Sequence, residues 1–174
     1  MNYKYIIYLA GKSEVYSSLQ KHLELIYPLT KKSSLGMHCT LFPFYSESAE
    51  DILIKRFYDV SSISSVLTHV ENIRLFDNES IVMKLFKTPV LEDIHSKYLL
   101  KFFKHEYDGK DISYIGEYYN PHLTLGHVAG ITSIEYLPSY FNVKDEIITL
   151  DKIVLARRQD EAHKWNKLAE KILE

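Results

Sequence analysis

The tetrapeptide His-x-Thr-Leu occurs twice, at 38–41 and at 122–125, and each copy ends a strand–helix–strand run. In the first run, residues 3–9 are β-branched and aromatic and read as a strand. A helix over 13–27 follows, with Ser13 as its cap, Val15, Leu19, Leu23 and Ile26 at helical spacing, and Pro28 closing it. The first motif strand is expected at about 37–44. The second run repeats the order: a strand at 80–87, a helix at 88–106 and the second motif strand at about 121–128. Thr88 takes the cap position of that helix and Pro89 its first turn, and Leu91, Ile94, Tyr98 and Phe102 form one apolar stripe. A divergent repeat of this kind constrains the fold strongly. Two related halves packed about an approximate two-fold axis bring their equivalent strands face to face.

The remaining segments fit around these units. A further helix is expected from Ser48, where Ser48 and Asp51 have capping-box spacing, to about Asp59. Residues 66–76 form the strand preceding the second run, joined to it by a hairpin turn at Asp77-Asn78-Glu79. Gly109 falls in a loop, a short helix is expected near 132–140, and a strand covers 146–158. The tail over 162–173 fits either a helix, from Trp165, Leu168, Ala169 and Ile172, or a final edge strand. No linker or low-complexity stretch divides the chain, so residues 1–174 are expected to form a single bilobal domain.

Composition narrows the class of function. With 46% hydrophobic and 25% charged residues, the chain has an ordinary globular make-up. Its formal net charge of −2 argues against coating long nucleic acid, which takes a basic excess, and leaves room for a short phosphorylated ligand in a local pocket. The single cysteine, Cys39, allows no internal disulfide, so a reducing cytoplasm is the expected setting. The apolar run near the N-terminus is broken by Lys12 and is too short for a signal peptide or a membrane span; it is the first strand.

Strand alternation puts His38 and Thr40 on one face, and likewise His122 and Thr124, about 7 Å apart in each pair. Cys39, Leu41, Leu123 and Leu125 take the opposite, core-directed faces. An imidazole beside a hydroxyl is poor core and good cleft. It suits in-line displacement at phosphorus, where the attacking and leaving oxygens lie on opposite sides and need a base and an acid on opposite sides. Imidazole serves both roles near neutral pH, and the two threonine hydroxyls hold the non-bridging oxygens. This chemistry calls for no metal, no zinc-site spacing is present, and no cofactor is expected.

The pair "HCTL" and "HLTL", with "FPF" after the first and Pro121 before the second, resembles the 2H phosphoesterase superfamily, which includes 2′-5′ RNA ligase-like proteins and cyclic phosphodiesterases. The resemblance implies an α+β fold of two lobes, pseudo-two-fold related, with antiparallel sheets flanking a central cleft and helices outside. It implies hydrolysis of a 2′,3′-cyclic phosphate or a 2′-5′ phosphodiester of a nucleotide or short RNA. His38 and His122 would be the catalytic acid–base pair, either taking either role, and Thr40 and Thr124 the phosphate ligands. The reverse reaction, 2′-5′ RNA ligation, uses the same residues, and a non-catalytic RNA-end-binding protein is the reading from another class. No membrane and no obligate protein partner are expected. Many members carry an arginine soon after the second motif, where this chain has His127. Its odd offset from His122 assigns His127 to the opposite face.

The other side chains receive structural assignments. His22, His69, His95 and His105 are expected at surfaces or helix ends, and His163 lies in the ambiguous tail. Cys39 belongs to the core, turned away from His38. The "AGKS" at 10–13 lacks the upstream glycine of a phosphate-binding loop. Phe42, Tyr118 and Tyr119 are candidates to stack on a base, with packing an equal alternative. Arg157 and Arg158 end a strand, on a solvated rim unless they reach the phosphate.

Overall fold

The computed structural model describes residues 3–60, 63–76, 79–106 (side chains to 102), 118–135, 137–159 and 164–174. Asp77, Asn78, Gly109 and His163, and the side chain of His105, lie outside the described residues. The chain runs β1 (Tyr3–Gly11), α1 (Glu14–Ile26), β2 (His38–Ser46), α2 (Glu50–Tyr58), β3 (Val66–Phe76), β4 (Ser80–Leu85), α3 (Pro89–Glu106), β5 (His122–His127), β6 (Ile147–Arg158) and β7 (Asn166–Ile172).

All strand pairs are antiparallel, in the order β1-β2-β5-β4-β3-β6-β7, with β6 also pairing with β1. Six strands therefore close on themselves, and β7 is added along β6. The closure is uneven. β1 and β2 share a long ladder, as do β3 and β4, whereas β2 and β5 meet at the single pair Cys39↔Leu123. The sheet thus divides into two halves that part along the β2–β5 seam. The twelve-residue β6 spans both, pairing with β3 over 147–150 and with β1 over 150–158.

The expected repeat is met in detail. Ser13 Oγ accepts the Tyr16 amide at 3.1 Å and Thr88 Oγ1 accepts the Leu91 amide at 3.2 Å, so each long helix starts on the hydroxyl cap its sequence carries. α1 buries Tyr16, Leu19 and Leu23; α3 buries Leu91, Ile94, Tyr98 and Phe102. Each fully buried aliphatic or aromatic side chain stabilises the fold by about 1.5–3 kcal/mol. The packing is crossed: α1 lies over β5, and α3 lies over β2. Each helix covers the motif strand of the other half.

The registers agree as well. Ala10↔His38 and Tyr8↔Thr40 in the first half correspond to Lys84↔His122 and Val82↔Thr124 in the second. Both ladders then slip by one residue immediately after the threonine, between Ile7 and Tyr8 and between Ile81 and Val82. The extra residues are Leu41 and Leu125, and each is a β-bulge.

Two local expectations are corrected, and one left open is decided. α2 is capped at Ala49, with no side-chain cap bond; the Ser46 hydroxyl accepts the Ser48 amide, and Glu50 and Asp51 place negative charge at the helix start instead. The helix near 132–140 reduces to a 3₁₀ turn at Ser139–Phe141, because Pro138 interrupts the run and the Ser133 hydroxyl draws the Glu135 amide into a local turn. The tail is a strand: β7 pairs along β6 and buries Ala169, with Leu173 beyond it. No helix among the described residues is long and apolar enough to cross a membrane.

Candidate active site

The seam between β2 and β5 places the two motifs. Cys39 and Leu123 pair directly, both fully buried, and antiparallel register lines His38 up with Thr124 and Thr40 with His122. The pseudo-two-fold axis passes through that pair. On the side away from the core the four side chains form a quadrilateral with the histidines on one diagonal and the threonines on the other. Diagonal neighbours of antiparallel strands are about 7–8 Å apart, wide enough for a phosphoryl group. All four line one cleft of about 280 Å³ with Ser33, Leu35, Phe76, Ser80, His127, Arg158 and Trp165.

Each histidine is held in the same way. His38 Nδ1–H donates to the Gly36 carbonyl at 2.9 Å, and His122 Nδ1–H to the Asn120 carbonyl at 2.7 Å. A carbonyl only accepts, so Nδ1 carries the proton in both rings and Nε2 is left for proton exchange. Gly36 turns its carbonyl toward the ring through a positive φ of 69°, a conformation open to glycine. Tyr8 meets the His38 ring edge-on at 5.6 Å, and Phe76 stacks on His122 at 5.0 Å. Burial holds the His38 imidazole below its ordinary value, the positive forms of His122 and His127 add to this, and the Gly36 bond opposes it. The His38 imidazole is therefore neutral at neutral pH.

His127 corrects the sequence reading. The Leu125 bulge reverses the alternation after Thr124, so Leu125 and Gly126 are both buried and His127 emerges on the face of His122 and Thr124. Its Nδ1 is hydrogen-bonded to Ser80 Oγ at 2.9 Å, and its backbone pairs with Lys31, which ties the loop after α1 to the end of β5. Gly126 makes that approach possible, since a β-carbon there would run into Thr30 Cγ2 and Leu23.

Other expectations divide. Cys39 is buried behind the motif, and burial pushes its thiol up to about 11. Arg158 reaches the cleft, its guanidinium 4.7 Å over the Trp165 ring, whereas Arg157 lies over Tyr3 and pairs with Glu50. Phe42 and Tyr119 are core residues, and Tyr118 is exposed outside the cleft; the aromatic rings that line it are Phe76 and Trp165. His22 and His69 pack partly exposed on Tyr140 and Phe86. His95 is not a surface residue: it is 2% exposed, stacked on Tyr119 at 3.9 Å.

No family model matches the sequence, and no curated protein matches it. Solved structures do. E. coli LigT complexed with 3′-AMP superposes with a TM-score of 0.70 at 9% identity over 99% of each chain. A phosphoesterase gives the same TM-score of 0.70 at 9% identity, also over 99% of each chain. TT0787 of Thermus thermophilus gives 0.66 at 12% identity over 98% of this chain and 97% of that one. At such identities the likeness establishes the fold, which is the α+β fold that the motif resemblance implied.

Proposed function

We propose that this chain is a metal-independent phosphodiesterase that opens a 2′,3′-cyclic phosphate, or cleaves a 2′-5′ phosphodiester, of a nucleotide or short RNA. The observation that carries the reading is the symmetric placement of two histidine–threonine pairs about the Cys39↔Leu123 contact, both imidazoles fixed through Nδ1. The crystallised complexes of LigT with 3′-AMP, ATP and NADP+ support a nucleotide as the ligand.

In this reading the phosphate lies between the histidines. His38 Nε2, kept neutral by its surroundings, takes a proton from water as the water oxygen attacks phosphorus. The bond to a ribose oxygen on the far side breaks, and His122 Nε2 delivers a proton to that oxygen. One water is consumed, a phosphomonoester and a free hydroxyl are formed, and the two imidazoles return to their starting states by exchange with solvent. Thr40 and Thr124, on the other diagonal, donate to the non-bridging oxygens where charge builds in the transition state. Arg158 adds positive charge at the cleft wall, and His127 adds an imidazole within reach of the same space. Phe76 and Trp165 give a base flat surfaces on which to stack.

The test is a panel of 2′,3′-cyclic nucleotides and 2′-5′ dinucleotides followed by phosphorus NMR, with and without EDTA. Turnover that survives EDTA and falls by about 10²–10⁴ in His38→Ala and in His122→Ala supports the reading. Undiminished turnover in the double variant removes it.

A further inference from the structure

Behind the cleft the two halves share a second correspondence. A bulge leaves its extra residue out of the ladder, so the carbonyl there must find another donor. Both bulge carbonyls find one, and in each case it comes from the helix of the opposite half. Gln20 Nε2 on α1 donates to the Leu125 carbonyl at 3.0 Å. His95 Nδ1 on α3 donates to the Leu41 carbonyl at 3.0 Å. Each donor is the seventh residue after its helix cap, Ser13 in one case and Thr88 in the other. A tyrosine backs each of them. Gln20 also donates to Tyr16 Oη, which donates in turn to the Thr124 carbonyl at 2.8 Å. His95 lies flat on Tyr119, whose hydroxyl bonds Cys39 Sγ at 3.5 Å.

We infer that Gln20 and His95 are positioning residues that hold the two bulges and thereby fix the histidine–threonine pairs on the cleft face, each half's helix setting the motif of the other. The bulge is the point at which the strand changes phase. A strand that loses it slips by one residue, and the side chains on one side of the slip turn to the opposite face. In β5 that displaces His127 relative to His122 and Thr124; in β2 it displaces Thr40 relative to Phe42, which is bonded into β1. The two donors differ chemically and do one job. An amide at position 95 is therefore expected to replace the imidazole, because Gln20 already does so at the equivalent position.

For its kinetic readout the inference rests on the phosphodiesterase reading, so the experiment pairs kinetics with a readout independent of turnover. His95→Leu, His95→Gln and Gln20→Leu are compared with the wild type in kcat, KM and amide hydrogen exchange. Misplacement by about 1 Å costs on the order of 10²-fold in rate, so His95→Leu and Gln20→Leu are expected to lose tens- to a hundredfold in kcat, with KM changing less. Exchange is expected to accelerate at Leu41 and Phe42 in His95→Leu, and at Leu125 and Gly126 in Gln20→Leu. His95→Gln is expected to restore both readouts to near wild type. The inference is overturned if His95→Gln, folded, is no better than His95→Leu, or if exchange at the bulges stays unchanged in both leucine variants. It is also overturned if exchange accelerates while kcat is untouched. A wild type without turnover would sink the phosphodiesterase reading, and the exchange comparison would still decide this one.

Discussion

Acidification should weaken this protein through His95, because burial disfavours the charged ring in the folded state. In an unfolded chain this imidazole takes up its proton near pH 6.5; in the folded protein burial is the main cause holding it down to about 4. The Leu41 bond and Glu92 oppose that shift and Lys87 adds to it, with Lys87 and Glu92 paired at 3.2 Å. Between the two values the unfolded state binds more protons, so stability falls as pH falls. The contribution is complete above about 6.5 and gone below about 4. At about 1.4 kcal/mol per unit, the whole shift amounts to about 3 kcal/mol, of which about 2 kcal/mol disappears between pH 7 and pH 5. The assay is urea unfolding at those two pH values for the wild type and for His95→Gln, which keeps an N–H donor and does not titrate. Other titrating groups, His38 among them, act alike in both proteins and cancel in the comparison. With a urea slope of about 2 kcal/mol per molar, the wild-type midpoint should drop by about 1 M more than that of the variant. Midpoints that fall in parallel would refute the reasoning, since His95 would then not be titrating out of a buried, neutral state.

Other outcomes follow from the cleft. With His38 as the base, kcat/KM rises with pH as this imidazole loses its proton, and burial beside His122 and His127 sets that limb below pH 6.5; a profile over about pH 4.5–9 with the limb at or above that value contradicts the assignment. His127→Ala should raise KM by about tenfold, the weight of one charge-assisted hydrogen bond, and His127→Arg should bind as well as the wild type; unchanged KM in the alanine variant would place His127 outside the substrate's reach. Gly126→Ala should cost about 1–3 kcal/mol by overpacking against Thr30 and Leu23, and Thr30→Ser in the same chain should recover part of it; thermal melts of the single and double variants check this.

The repeat, the hydroxyl caps at Ser13 and Thr88 and the outward face of the His-x-Thr pairs were legible because each rests on local periodicity. His127 was misplaced for a reason that is also local. Simple alternation holds only until a bulge, and two adjacent core residues, Leu41-Phe42 in one strand and Leu125-Gly126 in the other, mark where it stops. The apolar pair "LF" ahead of Pro43 was the available signal. His95 was legible too: it stands four residues after Leu91 and three before Tyr98, on the buried stripe itself. The missed cap of α2 is different, because Ser46 and Ala49 divide a role that spacing assigned to Ser48. Trp165 in the cleft wall, and the choice of strand over helix for the tail, depend on β7 pairing with β6, which no local pattern encodes. The roles proposed for His38, His122, Thr40 and Thr124 rest on their shared cleft, and the substitutions above will judge them.

The crossed helices make the two repeats mutually dependent. Residues 3–58 alone would leave the cap-to-core stripe of α1 with nothing to cover and the back of β2 bare, and the second repeat alone would suffer the reverse. Neither repeat is therefore expected to fold by itself. Folding of this chain should accordingly be all-or-none across both repeats, with no long-lived half-folded species, and the cleft should come into being only in the last step, when the two units clasp each other.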